Sequence, residues 1–91
     1  YLPIDKNERT RALRNLENLA KKTGQTQIFM ETPYRNNQLI TAILKTCKSN
    51  TRLCIASDIT MPSEEIKTRT ILEWHKANIN IHKKPAIFLI S

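Results

Sequence analysis

The stretch Thr26-Gln27-Ile28-Phe29-Met30-Glu31-Thr32-Pro33-Tyr34-Arg35 decides the fold. Its run Ile28-Phe29-Met30 is short and apolar at consecutive positions, the pattern of a strand buried on both faces and therefore central in its sheet. Just beyond it Thr32 is placed to cap a helix, and Pro33 suits the first helical position, where a missing N–H costs nothing. A strand leading directly into a helix N-terminus is an α/β unit, and this corner is where open α/β sheets receive ligands.

Working outward, the helix after Pro33 is expected to reach about Lys48, with Leu39, Ile40, Ile43, Leu44 and Cys47 facing the sheet. Upstream, Asp5 and Glu8 have capping-box spacing. Ala12, Leu13, Leu16, Leu19 and Ala20 then form one apolar stripe on a helix from Lys6 to Thr23. Lys21 and Lys22 suit its negative end, and Gly24, the only glycine, supplies a left-handed stop. Downstream, Leu53-Cys54-Ile55-Ala56 reads as a second buried strand ended by Asp58. Glu65 to Arg69 reads as extended, since Ile66, Thr68 and Thr70 alternate with charges. Thr70 and Glu73 repeat the capping-box spacing before a short helix from Ile71 to Lys76 that docks Trp74. Ala77 to Lys84 is loop, and Ala86-Ile87-Phe88-Leu89-Ile90 is a last buried strand. The expected fold class is α/β, a mixed sheet of about four to five strands with packed helices, its adjacent β-helix-β crossovers right-handed.

Ninety-one residues, 40% of them hydrophobic, make one domain with a modest core and no room for a deep enclosed active site. The chain opens at Tyr1 without Met, and Leu2-Pro3 looks like a linker inside a longer protein, so a piece of a larger enzyme is expected. No apolar run approaches a membrane span and nothing resembles a signal peptide. Cys47 and Cys54 sit in periodic apolar segments, which favours two buried thiols in a reducing cytoplasm over a disulfide or metal pair. Fifteen Lys and Arg against eight acids give a net charge of +7. That suits a partner bearing phosphate, although the bases, among them Lys6, Arg9, Arg11, Arg14, Lys21, Lys22 and later Lys83-Lys84, are spread as on an ordinary solvated surface.

The chemical inventory is thin. One glycine excludes a glycine-rich phosphate loop. Glu64 and Glu65 are adjacent and would point to opposite faces of a strand. His75 and His82 are far apart, which argues for surface histidines and against a metal site. No serine or cysteine has a base and an orienting acid beside it. The dense segment is Glu31 to Arg35, whose carboxylate and guanidinium could hold each other in a partly buried pair or address a substrate in a cleft.

That segment resembles the strand followed by E-[ST]-P-[HY]-R in the second lobe of tetrapyrrole-methylase-like (class III) methyltransferases, nearest the ribosomal RNA small-subunit cytidine 2'-O-methyltransferase branch. Leu2-Pro3 with Lys6 and Arg9 resembles that lobe's opening F-L-P-x-K…R. Ala56-Ser57-Asp58-Ile59-Thr60 followed by Glu64-Glu65 resembles its A-R-E-L-T-K…E-E, and Lys84-Pro85-Ala86 resembles the start of its last strand. The departures are Asp58 and Met61, where that branch has Glu and Lys, and Thr68-Arg69-Thr70 in place of R-G-T.

The resemblance implies the second lobe of a two-lobe methyltransferase that holds S-adenosylmethionine in the cleft between its lobes. The glycine-rich first lobe lies outside these residues and would be the lobe's partner, and the whole enzyme would be a cytoplasmic homodimer. By position, Met30, Glu31, Cys54, Pro85 and Ala86 would line the cofactor through shape and main-chain contacts, and Glu31, Tyr34 and Arg35 would shape the substrate cleft. No catalytic residue and no metal ligand is assigned, and the isolated lobe would be inactive. RNA ribose is the expected methyl acceptor, a tetrapyrrole or other small molecule the alternative. A different class of reading is a free-standing basic module that binds RNA with steep salt dependence; the few aromatic residues, at positions that want burial, weigh against it.

Overall fold

A computed structural model describes residues 1–91. Eight elements follow one another: helix α1 (Lys6–Thr23), strand β1 (Gln27–Met30), a 3-10 turn (Pro33–Arg35), α2 (Asn36–Thr46), β2 (Arg52–Ser57), β3 (Glu65–Thr70), α3 (Ile71–His75) and β4 (Ala86–Ile90). The expected elements are therefore present, and the α/β architecture with packed helices stands.

Local chemistry sets the boundaries. Asp5 accepts the Glu8 N–H at 3.0 Å to start α1, and Gly24, at φ +70°, ends it with its N–H on the Ala20 carbonyl. Thr70 and Glu73 form the complete reciprocal box at the start of α3. The Thr32 hydroxyl makes no cap bond, and the chain passes through the 3-10 turn before α2 begins.

The sheet order is β1-β4-β2-β3, with every neighbouring pair antiparallel. β1 and β2 run parallel to each other but do not touch, because β4 lies between them. The sheet is thus wholly antiparallel rather than mixed as expected, and no crossover joins adjacent parallel strands. β1 is an edge strand rather than the central one expected from its apolar run, and β4 holds a central position.

Register fixes two unequal faces. Phe29, Phe88, Ile90, Leu53 and Ile55 share one face and are buried with Leu13, Leu39, Ile43, Ile71 and Trp74 from the helices. The opposite face carries Ile28, Met30, Ile87, Leu89, Cys54, Ala56 and Ile66, and no element of the chain covers it. Ile28 remains 67% exposed and Ile66 57%. A continuous apolar run therefore marks strands whose second face is apolar yet open here.

β3 shows the alternation expected of it: Ile66 and Thr68 lie on the open face, and Glu65, Lys67 and Arg69 stand opposite Ser57, Ile55 and Leu53 on the helix side. The inward stripe of α1 differs from expectation. It runs Arg9, Leu13, Glu17, Ala20, and Leu19 is exposed.

Two polar side chains on the helices hold the loops. Buried Glu17 accepts the Lys48 N–H at 2.8 Å and the Thr51 hydroxyl, fixing the approach to β2. Asn36 is fully buried and donates its amide to the carbonyls of Ile81 (3.1 Å) and Lys84 (2.6 Å). Beside it, Asn37 accepts the Ile81 N–H and donates to Asn80. Together they hold the loop that feeds β4.

Asn36→Ala should cost about 2–3 kcal/mol, since two carbonyls lose their donor. That lowers the melting temperature by roughly 10–20 °C for a domain of this size, measurable by circular dichroism. The α3 cap gives a second expectation. The Thr70 N–H, then its hydroxyl, holds the Glu73 carboxyl below its ordinary value of 4.5. A depressed carboxyl contributes stability above the unfolded value and loses it as pH falls through the folded one. The stability difference between the parent and Glu73→Gln should therefore be present at neutral pH and vanish in strong acid.

Candidate functional site: the open sheet face and its corner

β1 runs toward Glu31, β2 toward Asp58, and β4 starts at Ala86, so their antiparallel register gathers Met30, Ala86 and Ser57 at one end of the sheet. Of the residues named from the sequence, Met30, Glu31, Pro85 and Ala86 come together at this end. Cys54 lies about 10 Å further along β2, at three residues of strand rise, opposite Leu89. Met30 and Cys54 share the open apolar face. Ala86 is buried on the helix side, and Pro85 is exposed with its carbonyl taking the Asp58 N–H at 2.9 Å.

Glu31 turns inward. Its carboxyl is 2% exposed, and Oε1 receives Arg35 Nη2 at 3.0 Å and the Thr32 N–H at 2.8 Å. This is the only ion pair of the chain. Glu31 Oε2 and Arg35 Nε are buried without a partner, as is Asn36 Oδ1 directly after them. The corner is thus a closed carboxylate–guanidinium pair with spare hydrogen-bonding capacity beneath the surface. Buried polar atoms of this kind call for a partner.

Tyr34 projects from the 3-10 turn and is 68% exposed, its ring 6.0 Å from the His82 ring in an edge contact and 6.0 Å from the Lys83 ammonium. Lys83 takes a left-handed backbone (φ 66°) and donates its N–H to the Pro33 carbonyl, which brings it to the aromatic ring. Sequence reasoning missed both this cluster and the Asn36–Asn37 clamp that positions it. The adjacent asparagines at a helix start were the available signal, because a side-chain amide there can bridge to a distant backbone.

At the same end, the turn after β2 is tightly bonded. Asp58, buried at φ 51°, accepts the Ser63 hydroxyl at 2.8 Å, and Glu64 accepts the Thr60 N–H at 2.9 Å across a Thr60 held at φ 70°. Glu64 and Glu65 do not act together, since Glu64 belongs to the turn and Glu65 begins β3. His75 sits against the Leu44 carbonyl at 3.0 Å, away from His82. Nowhere do three His, Cys, Asp or Glu side chains gather as a metal site would need. No helix is long and apolar enough to cross a membrane.

The chain is similar in fold to solved structures, among them a methyltransferase. The crystal structure of the methyltransferase CobJ matches over 89% of this chain and 34% of its own, with a TM-score of 0.52 at 13% sequence identity. The shared feature is the fold. The chain spans about a third of the length of CobJ. No protein-family model matches the chain, and no curated protein does. An α/β fold shared with part of a methyltransferase agrees with the fold that the Glu31–Arg35 resemblance implied.

The two thiols differ, against the expectation that both are buried. Cys47 is buried, and burial, with the Glu17 carboxylate beside it, pushes its pKa up to about 12. Cys54 is half-buried on the open face. Both are free. Because the thiolate is the reactive form, a maleimide at pH 8 should label Cys54 and leave Cys47 unmodified in the folded chain. Peptide mapping by mass spectrometry reads the result, and denaturation should make the two equal.

Proposed function

We infer that the chain is the second lobe of an S-adenosylmethionine-dependent methyltransferase and that its open sheet face is one wall of the cofactor cleft. The observation that carries this reading is the uncovered apolar face, with Met30, Ile87 and Ile66 in one row at the end where the Glu31–Arg35 corner stands and Cys54 further along the same face beside Leu89. Exposed contiguous apolar surface of this kind marks a partner or a ligand. The fold shared with part of a methyltransferase supports it.

These residues fit the cofactor. An adenosine offers a flat, largely apolar body, and Met30 and Cys54 offer soft, polarisable surface to it. Edge strand β1 adds unpaired backbone groups near Met30 and Glu31. When bound, the cofactor would supply an electrophilic methyl group on its sulfonium. The residues of this lobe would hold it in line with an acceptor and exclude water, which is most of what such a transfer asks of the protein. The Glu31–Arg35 pair, locked by the Thr32 N–H, would keep the strand end rigid while Tyr34 and Lys83 face the acceptor's approach.

The acceptor on this reading is RNA ribose. The +7 charge favours a polyanion, and Tyr34, flanked by Lys83, offers an exposed ring on which a base can stack. The other wall would be the glycine-rich lobe of the same protein, in a cytoplasmic homodimer.

About three main-chain hydrogen bonds from one wall yield roughly 1.5–4.5 kcal/mol, which corresponds to millimolar affinity or weaker. Calorimetry on the 91-residue chain should therefore show no saturable heat with S-adenosylmethionine, and a micromolar isotherm would contradict the split cleft. The positive test uses the longer natural protein. A photoreactive S-adenosylmethionine analogue should crosslink to peptides containing Met30 or Cys54, and Cys54→Trp should abolish both crosslink and methyl transfer to ribosomal RNA. Crosslinks confined to the helix-covered face would refute the assignment. Transfer only to a small molecule would move the acceptor to the tetrapyrrole alternative.

A further inference from the structure

Arg9 lies on the inward face of α1, at 9% exposure, with its Nε buried and unpartnered. No carboxylate neutralises it, since Glu31–Arg35 is the chain's only ion pair. Asp5 caps α1, and neither it nor Glu8 lines the space into which Arg9 faces. A buried guanidinium without a counter-charge is costly, and native structures seldom leave one so.

Arg9 lines a recess of about 460 Å3 between α1 and α2, within the range of small-ligand pockets, roughly 300–1,000 Å3. Helical spacing brings the other donors there: Lys6 from the first turn of α1, and Gln38, Lys45 and Thr46 from α2. Three cations and an amide thus converge, with no acid among the lining residues. The hydroxyls of Thr10 and Thr41 at its edge already donate to the Lys6 and Asn37 carbonyls and leave only lone pairs. Mutual repulsion of the cations and the orphaned guanidinium have the same remedy, an anion with several acceptor oxygens. The other basic recess, beside β3, is less demanding. Glu65 shares it with Lys67 and Lys84, and Arg69 there sits 4.7 Å from the Trp74 ring.

We propose that the recess between α1 and α2, centred on Arg9, is a phosphate-binding site. It lies among the helices, on the far side of the sheet from Met30 and Cys54, and it does not depend on the methyltransferase reading. Its ligand carries a phosphate group, from either a small phosphate ester or a nucleic-acid backbone. Arg9 supplies planar paired donors, Lys6 and Lys45 supply point charges, and Gln38 and Thr46 complete the shell.

The test titrates the 91-residue chain, observed by amide NMR, with inorganic phosphate, adenosine 5'-monophosphate and a single-stranded oligouridylate, each against sodium chloride at matched ionic strength. Saturable shifts at Thr10, Gln38 and Thr46 are expected, without matching shifts at Lys67 and Arg69. Response to phosphate or the mononucleotide identifies a small ester, and response to the oligonucleotide alone identifies a polymer backbone. Arg9→Met should weaken binding by about tenfold or more, and Lys45→Gln, an exposed change, by about threefold. Whichever probe gives saturable shifts should raise the melting temperature of the parent and not that of Arg9→Met. The proposal falls if no probe gives saturable shifts in the recess, or if Lys45→Gln and Arg9→Met both titrate like the parent.

Discussion

Asn36 donates its side-chain amide to two carbonyls of a loop more than forty residues away, from a position with no solvent contact. On one side of it stands the Glu31–Arg35 pair, and on the other Asn37 grips Ile81 and Asn80. The loop so held delivers Ala86 into β4, and β4 joins β1 to β2. Without that anchor the chain's central strand has no fixed point of departure. Glu17 plays the matching part for the approach to β2. In a domain with so small a core, two buried polar side chains thus set where the strands begin, and hydrophobic burial supplies the driving force once they do.

Most of the elements were legible from residue spacing, because caps and periodicity are local. Asp5, Gly24, and the Thr70–Glu73 box each act within a few residues of their own position. Strand order was not legible. Ile28-Phe29-Met30 reads as a two-sided buried strand, and both of its faces are indeed apolar, but only the Phe29 face is covered within this chain. Sequence reports that a surface wants covering and is silent on which part of the protein does so. β3 was legible as an alternating strand, but not which face its charges would take: they stand on the helix side, where a recess rather than a core awaits them and Arg69 lies against the Trp74 ring.

At the site, the Glu31–Arg35 contact was foreseeable as a pair from its i, i+4 placement. The gathering of Met30, Pro85 and Ala86 followed only through the family resemblance. Tyr34 with His82 and Lys83, and the isolation of Arg9, depend on contacts between segments distant in sequence, and no local pattern announces them. Arg9 and Glu17 lie on the same stripe as Leu13 and Ala20, where helical periodicity alone would seat apolar residues. Charge on such a stripe is the local inconsistency that points to a special task.

The position of β4 carries a consequence for how this domain comes into being. Its five residues come last among the strands, yet they alone bridge β1 and the β2–β3 hairpin. Until residues 86–90 have been synthesised, β1 is a lone strand and the hairpin has only half of its sheet. Long-range closure of this kind must overcome loop entropy before any contact rewards it. Nascent chains shorter than this should therefore remain loosely collapsed on the ribosome, with assembly arriving late and as a single cooperative event.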